Sequence, residues 1–568
     1  MLNYLITSFP FLTTFLSESL LFAFLPFLLI APAVLTRLQG STVFTEDTRR
    51  KKHFFLVLRT SQLLLFFVLF VDFFFMRPLC FATENLFDTT LLHSGNFFFR
   101  HDGFVWFVNF FLTCLTVYYL YLVAFAFSRT TRTVSYICEL PVLLLCTLVC
   151  LRFFIATNDL ILMVILLEIS SFCSIIYIGM QSVSATSYSL TVEATIKYFI
   201  INAVAVALLL FAISGYFYLT RSTNLFDILS FFYKYPFSCV FFTEQILLIQ
   251  LLFFFSYLIK LGMAPLHQWV PDVYEGAETL VTCFLVLIIS PALMFKLLFF
   301  FKILVNLPTS LGLLKLVFIV GGVLSILFGT LGALYQTRIK RFIAYAGLTH
   351  LGFMLLGLGF NSFLSYFAFL FYLLIYVLTN LCFFTFLIFS QYSVPTETRL
   401  VYINQLRTVI QTSMFFVFCL IVCLFSFAGI PPFAGFFAKF FILGVLVQQN
   451  QFFIVFFLII AILVGTFMYL RFLKIALFEN LVPGTPWFIS ISSVFFTLPK
   501  TLVAVFADYN IRLKSQSLSY KLATVDSWQL WISTILLWVL GFLLFFFFFF
   551  SVYSTGIFEL VLILLTQY

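Results

Sequence analysis

The sequence predicts an all-α polytopic membrane protein that crosses the bilayer about fourteen times. Of the 568 residues, 63% are hydrophobic and only 9% are charged, and long apolar runs recur along nearly the whole chain. So small a charged fraction cannot cover the surface of a soluble globule of this size. A helix of about 20 apolar residues is long enough to cross a hydrocarbon core of roughly 30 Å.

Each predicted span is a long apolar run bounded by polar residues. The stretch 484–507 is also apolar but holds Pro486, Pro499 and Lys500, so it could span, lie in the interface or pack on another subunit. The final run, 556–567, is too short to cross alone. The predicted spans are 19–36, 53–76, 104–128, 134–155, 158–180, 194–219, 239–264, 279–304, 312–335, 341–361, 363–390, 409–446, 452–475 and 529–552.

Basic residues gather in short loops between these spans. The excess of 30 Lys and Arg over 21 Asp and Glu therefore indicates membrane topology, and no nucleic-acid partner is predicted. Four basic clusters fall on one side when the spans are counted, which predicts a cytoplasmic or matrix side there and the N-terminus on the opposite face. The clusters are Arg49 to Lys52, Arg129 with Arg132, Arg338 with Lys340 and Arg341, and Arg471 with Lys474.

The phenylalanine content indicates where the gene resides. Eighty-eight Phe residues, with a run from Phe545 to Phe550, exceed what packing requires and indicate a preference for T-rich codons. Such a bias is common in organelle genomes. We therefore expect an organelle-encoded protein.

Two spans are interrupted by proline and glycine in the same way. One reads Lys260-Leu-Gly-Met-Ala-Pro265, and the other reads Gly429-Ile-Pro-Pro-Phe-Ala-Gly435 followed by Lys439. Proline removes an amide donor and clashes with the preceding turn, so both helices should break or kink. Paired breaks at membrane depth are typical of transport sites. The alternative is a plain proline kink beside a lysine that snorkels towards the interface.

The charged side chains inside these spans are the candidate functional residues. Glu168 lies about nine residues into its span, near the midplane, where a carboxylate costs on the order of 3 kcal/mol to insert. We expect it to face the bundle interior, either in a proton relay with Lys260 or in a structural ion pair. Lys439 repeats the arrangement in the second half of the chain. His350 stands 89 positions before Lys439, close to the 92 that separate Glu168 from Lys260, which indicates an internal duplication.

The weaker candidates for the relay are Lys296 and Lys197, of which Lys197 follows Glu193 at a spacing that stabilises any helix surface. No phosphate loop, nucleophile triad, haem or iron–sulfur cysteine set or zinc cluster is found in the sequence. No cofactor or metal is therefore predicted in this chain.

At several motifs the sequence resembles the antiporter-like membrane subunits of respiratory complex I. The matching segments follow the family's order over roughly residues 135–475, and the block that begins at Lys260 is the most specific. They are 158–168, 193–198, 260–277, 336–341 with 349–352, and 428–440.

The resemblance implies a proton-translocating subunit of the membrane arm, with neighbouring antiporter-like chains and the lipid bilayer as partners. It implies a multi-pass protein of the mitochondrial inner membrane, and NADH, FMN, iron–sulfur clusters and ubiquinone bound by other subunits. It assigns Glu168 and Lys260 to the first half-channel, His350 to the central axis and Lys439 to the second half-channel. The implied divisions are 1–133, an N-terminal extension; 134–304 and 305–475, two pseudo-symmetric halves with one broken helix each; and 476–568, a C-terminal extension.

One position departs from the family pattern. The family usually has another lysine in the eighth span, where this chain has Ser290. Lys296 lies six residues further on, about 240° around an ideal helix, so it cannot take that place unless Pro291 re-aims the span. Ser290 therefore keeps open a structural subunit that no longer conducts. A stand-alone cation/proton antiporter of the related type is a separate alternative.

Overall fold

The computed structural model is almost entirely helical where it describes the chain. Within that part, the only β contacts are isolated bridges such as Asp159 with Asn224. The described residues are several between 17 and 26, then 46–73, 99, 103–129, 139–180, 185–234, 240–304, 311–360, 362–393, 400–407, 414–431 and 433–478.

The helices up to residue 304 include the first interrupted span. They are α1 Glu46–Val71, α2 Gly103–Arg129, α3 Leu140–Ala156, α4 Leu160–Met180, α5 Ala185–Thr220, α6 Leu225–Lys234, α7 Val240–Leu261, α8 Trp269–Gly276, α9 Thr279–Phe284 and α10 Ser290–Leu304.

The helices after residue 304 include the second interrupted span. They are α11 Leu311–Leu334, α12 Ile339–Leu358, α13 Phe363–Ser393, α14 Met414–Ala428, α15 Ala434–Gln448 and α16 Phe452–Phe478.

The predicted membrane fold is confirmed. Among the described residues, ten helical segments are long and apolar enough to cross a membrane, and α3, α14 and α15 are shorter apolar helices. Every predicted span from 53–76 to 452–475 corresponds to one helix or to a broken pair. The predicted spans 19–36 and 529–552 lie wholly or mostly outside the described residues, as do 484–507 and 556–567.

Both predicted helix breaks are present, and each contains a glycine with positive φ. Gly262 follows α7 with φ +71°, and Gly429 follows α14 with φ +77°. Glycine adopts this left-handed region without the steric penalty that a Cβ atom brings. Each helix therefore ends inside the protein, and its last carbonyl groups need partners other than the helix's own amides.

The span around Pro291 remains helical instead of breaking. Residues Leu285–Ile289 form a π-helical turn between α9 and α10, and the Ser290 amide donates to the Leu285 carbonyl. This wider turn directly precedes Pro291, which has no amide to donate. The span therefore stays helical through the proline.

The helices differ in how far the rest of the chain covers them. In the span 279–301 every residue except Ile289 and Ser290 is buried, whereas only nine of the 27 residues of α16 are buried. The span 279–301, α12 and α13 therefore form the interior of the bundle. α4, α5 and α16 present an apolar face outwards, as expected for helices against lipid or a neighbouring subunit.

Candidate proton-transfer site in the membrane

Lys260 lies in the last turn of α7, directly before the Gly262 break. Its side chain is 7% exposed, and Nζ has no hydrogen-bond partner among the described residues. Glu168 is close enough to attract the ammonium electrostatically. Burial of an ammonium without hydrogen bonds is unfavourable. We therefore expect this lysine to give up its proton or to bind internal water.

Glu168 is half-buried at the edge of the bundle, so the expectation that it faces the interior is only partly met. Leu167 and Ser171 beside it are buried, whereas Ile165 is 49% and Ile169 43% exposed. α4 packs against the bundle along one stripe only, and Glu168 falls at the border of that stripe. Among the described residues it forms no ion pair with Lys260.

Lys439 lies on α15 and binds the preceding half-helix. Its Nζ donates hydrogen bonds to the carbonyl oxygens of Phe427 at 2.9 Å and Ala428 at 2.7 Å. These carbonyls form the end of α14, where the helix dipole favours a cation. Lys439 thus follows its break, whereas Lys260 precedes its own and lacks such bonds. The two lysines do not repeat one arrangement.

His350 is buried beside the second break. Its Nδ1 lies 2.8 Å from the Tyr372 hydroxyl, and its Nε2 lies 3.0 Å from the Tyr469 hydroxyl. The imidazole also contacts the Phe427 ring, with the centroids 5.2 Å apart. Because Lys439 binds the Phe427 carbonyl, His350 and Lys439 belong to one polar cluster. Two hydroxyls on one imidazole can pass a proton in either direction.

Lys296 does not replace the missing lysine at position 290. It is 1% exposed, and its Nζ donates to the carbonyls of Thr157 and Ile155 at the end of α3. The Ser290 hydroxyl binds the Val286 carbonyl of its own helix at 2.9 Å. Because the span stays helical at Pro291, Lys296 is directed towards α3, where it caps the helix.

Lys197 lies near the start of α5, outside the buried cluster, with a side chain 38% exposed. It pairs with Glu193 at 2.6 Å, as the helical spacing predicts, and with Asp272 of α8 at 2.6 Å. Arg341 of α12 also binds Asp272, at 3.1 Å. Lys197 thus belongs to an ion-pair cluster that holds α8, beyond the first break, between α5 and α12.

A buried ion cluster centred on Arg152 of α3 is not among the sites that the sequence predicts. The guanidinium binds both carboxylate oxygens of Asp72, at 2.8 and 3.0 Å, and Glu18 at 2.9 Å. It also donates to the Ser17 hydroxyl at 2.8 Å. An arginine inside an apolar run was the available signal. The two acidic partners are 134 and 80 positions earlier, so sequence spacing did not reveal them.

Gly262 gives the first stability prediction. A Cβ there would lie 2.1 Å from Val270 Cγ2, and the positive φ adds strain. We expect Gly262→Ala to destabilise the protein by roughly 2 to 4 kcal/mol. Thermal denaturation of the purified membrane complex measures the loss. The control is Gly465→Ala, where a Cβ would meet no atom within 4 Å; equal thermal stability of the two variants would contradict the prediction.

Ionisable side chains buried beside two broken helices define a class of proteins: multi-pass helical membrane proteins with internal polar sites. The family model described as NADH:quinone oxidoreductase/Mrp antiporter, TM, matches residues 157–465, more than half of the chain. The chain therefore belongs to this family, and the resemblance predicted from the motifs is confirmed.

Individual relatives agree with the family assignment. The chain is 34% identical to NADH-ubiquinone oxidoreductase chain 2 of Rhizopus oryzae over 61% of its own length and 66% of that protein, just under two thirds. It is 30% identical to NADH-quinone oxidoreductase subunit N of Pelagibacter ubique over 63% of its own length and 73% of that protein.

A solved structure supports the fold. A chain of respiratory complex I from Thermus thermophilus with bound aureothin matches with a TM-score of 0.59 at 23% identity. The match covers 83% of this chain and 93% of that one. At this identity the likeness concerns the fold alone.

Proposed function

We propose that the chain is a proton-translocating subunit of the membrane arm of respiratory complex I, where it couples electron transfer from NADH to ubiquinone to proton pumping. The observation that carries the proposal is the buried Lys260 ammonium, which attracts the half-buried Glu168 without pairing with it. Such a pair can exist in two states, because a movement of either side chain changes how strongly each holds its proton.

The proposed relay has two clusters. Glu168 and Lys260 form the first, within the half 134–304, and His350 with Lys439 form the second, within the half 305–475. Glu168 and Lys260 would exchange protons directly when they approach. In the second cluster, protons would pass between His350 and the Tyr372 and Tyr469 hydroxyls that bind it.

The proposed location is the mitochondrial inner membrane, and the proposed partners are other membrane-arm subunits, including neighbouring antiporter-like chains. The half-exposed Glu168 supports a protein neighbour, because a carboxylate at this depth is unfavourable against lipid. NADH, FMN, the iron–sulfur clusters and ubiquinone would be bound by other subunits of the complex.

The direct test is Glu168→Gln in the assembled complex. We expect the number of protons pumped per electron to fall, because glutamine keeps the shape of glutamate but does not bind and release a proton near neutral pH. Glu193→Gln is the matched control, since Glu193 is exposed and paired only at the surface. Protons collected in sealed vesicles during NADH oxidation measure the ratio. Full stoichiometry in Glu168→Gln would overturn the relay role of this residue.

The environment of Ser290 favours a second candidate, a structural subunit that does not conduct. The Ser290 hydroxyl is bonded within its own helix and Lys296 is bonded to α3, so neither side chain links the two clusters. Undiminished pumping by a complex with both Lys260→Met and Lys439→Gln would support that candidate. Sodium flux through the purified chain alone in liposomes would instead indicate a stand-alone antiporter.

A further inference from the structure

The segment after the first helix break is bound to the second half of the chain, although it belongs to the first half in sequence. The His267 ring stacks on Phe328 of α11, with centroids 5.1 Å apart, and its centroid lies 6.4 Å from that of Tyr345 in α12. The Thr279 hydroxyl at the start of α9 donates to the Gln391 side chain of α13 at 2.7 Å. Residues on both sides of α8 therefore contact helices of the second half.

Glu275 of α8 joins this helix to the start of α12. Its carboxylate pairs with Arg338, directly before α12, and with Arg341 in the first turn of α12. The Glu275 side chain is 12% exposed, whereas the two arginines are 43% and 38% exposed. A mostly buried carboxylate that binds two guanidinium groups holds its partners more firmly than an exposed pair does. Arg341 also donates to Asp272 of α8 at 3.1 Å.

The end of α8 is fixed on two sides. The Lys340 ammonium of α12 donates to the Ala277 carbonyl, directly after the helix, where a cation satisfies an orphan carbonyl group. On the other side, a Cβ atom at Gly276 would lie 2.5 Å from the Leu190 carbonyl oxygen of α5. α8 is thus held between α5 of the first half and α12 of the second.

α8 is also in direct contact with the helix break beside Lys260. A Cβ atom at Gly262 would lie 2.1 Å from Val270 Cγ2 and 3.2 Å from the Trp269 ring, so the first two residues of α8 pack on the Gly262 backbone. Gly262 is only two positions after Lys260. Because packed contacts of this kind resist compression, a displacement of α8 also displaces the backbone next to Lys260.

α12 extends from Arg341 to the second cluster. His350 lies nine residues after Arg341, about 14 Å further along the same helix. Every residue of α12 from Leu348 to Leu358 is buried, and the imidazole binds the Tyr372 and Tyr469 hydroxyls. A shift at the first turn of a continuous helix is carried along its axis. A movement of α12 would therefore change the contacts of His350.

We infer that Glu275 is a positioning residue for proton translocation, because its ion pairs with α12 couple the position of the first helix break to that of His350. The inference rests on the proposed function, since it gives the two clusters of the relay a mechanical connection. A change of protonation at Lys260 that moves the break would move α8, and the ion pairs would pass this movement to α12. No proton needs to cross between the clusters, where Ser290 and Lys296 are bonded elsewhere.

The functional test is Glu275→Gln in the assembled complex. Glutamine keeps the shape of the side chain but removes the charge that holds both guanidinium groups. We expect the number of protons pumped per electron to fall several-fold while NADH oxidation continues. Glu193→Gln is the matched control. It also removes a carboxylate from this ion-pair cluster, but Glu193 pairs with Lys197 within α5, so pumping should remain normal.

Hydrogen–deuterium exchange distinguishes a positioning role from a purely structural one. We expect Lys260→Met to change the exchange of backbone amides in residues 336–345, at the start of α12. The same substitution should cause no such change in a complex that also carries Glu275→Gln, because the connection is then broken. A response of α12 that is equal with and without Glu275 would overturn the inference.

The outcomes separate this inference from the proposed function. Normal pumping by Glu275→Gln, with pumping lost in Glu168→Gln, would overturn the mechanical connection and leave the relay intact. Normal pumping by Glu168→Gln would count against the relay itself. If Glu275→Gln fails to assemble, Arg338→Gln and Arg341→Gln each remove one partner of the carboxylate and leave the other. Normal pumping by both arginine variants would then overturn the inference, and reduced pumping that Arg341→Lys partly restores would support it.

Discussion

Replacement of Lys260 by methionine is expected to abolish proton pumping while the complex still assembles at normal or higher stability. The ammonium is 7% exposed and has no hydrogen-bond partner in the described part of the chain. It therefore loses hydration on burial without gaining bonds in return. Methionine has a similar length and is apolar, so it removes the free-energy cost of burying the ammonium together with the exchangeable proton.

Two measurements on one preparation test this prediction. Proton uptake or release per electron reports pumping, and the midpoint of thermal denaturation reports stability. Lys315→Met, at a partly exposed position in α11, is a control for the loss of a positive charge. A Lys260→Met complex that pumps normally would remove Lys260 from the relay. One that fails to assemble would show that the ammonium has a structural partner after all.

Replacement of Arg152 by methionine is expected to prevent assembly or to destabilise the protein by about 3 to 5 kcal/mol, since it leaves two buried carboxylates without their cation. Asp72 and Glu18 are 2% and 4% exposed, and the guanidinium is bonded to both. The cluster joins α3 to α1 and to the described residues near position 18. Its loss should detach the N-terminal part of the chain from the rest.

The amount of assembled complex in the membrane and its denaturation midpoint measure this effect. The triple variant Arg152→Met, Asp72→Asn, Glu18→Gln removes all three charges, so it should recover part of the stability that Arg152→Met loses. Arg471→Met, at a half-buried position in α16, is the control for a single arginine. If Arg152→Met matched this control in both measurements, the cluster would have no structural role.

Much of the fold was predictable because membrane spans depend on composition, which needs no knowledge of neighbours. The two breaks were predictable for a local reason, since Gly262 with Pro265 and Gly429 with Pro431 cannot continue a helix. The π-helical turn before Pro291 was not predicted. Proline usually breaks or kinks a helix. Whether a wider turn accommodates it depends on the packing of the span 279–301, which is buried on nearly all sides.

The candidate site was predictable in its residues but not in its contacts. Buried charges stand out in an apolar sequence, which identified Glu168, Lys260 and Lys439. The orientation of Glu168 depends on which stripe of α4 packs inwards, and a helix apolar on all sides gives no such signal. The binding of Lys439 to the end of α14 depends on tertiary placement, as does the reach of Lys296 to α3.

The bonds from Lys439 to the last carbonyls of α14 affect how this site can change during evolution. The ammonium holds the end of a broken helix and, in the proposed relay, also carries a proton, so substitutions that remove it also leave these two backbone carbonyls without their donor. The Lys260 ammonium makes no hydrogen bond to a helix end in the described part of the chain. In a lineage that no longer needed pumping, we expect apolar residues to replace the lysine at position 260. Position 439 should still have a hydrogen-bond donor after conduction is lost.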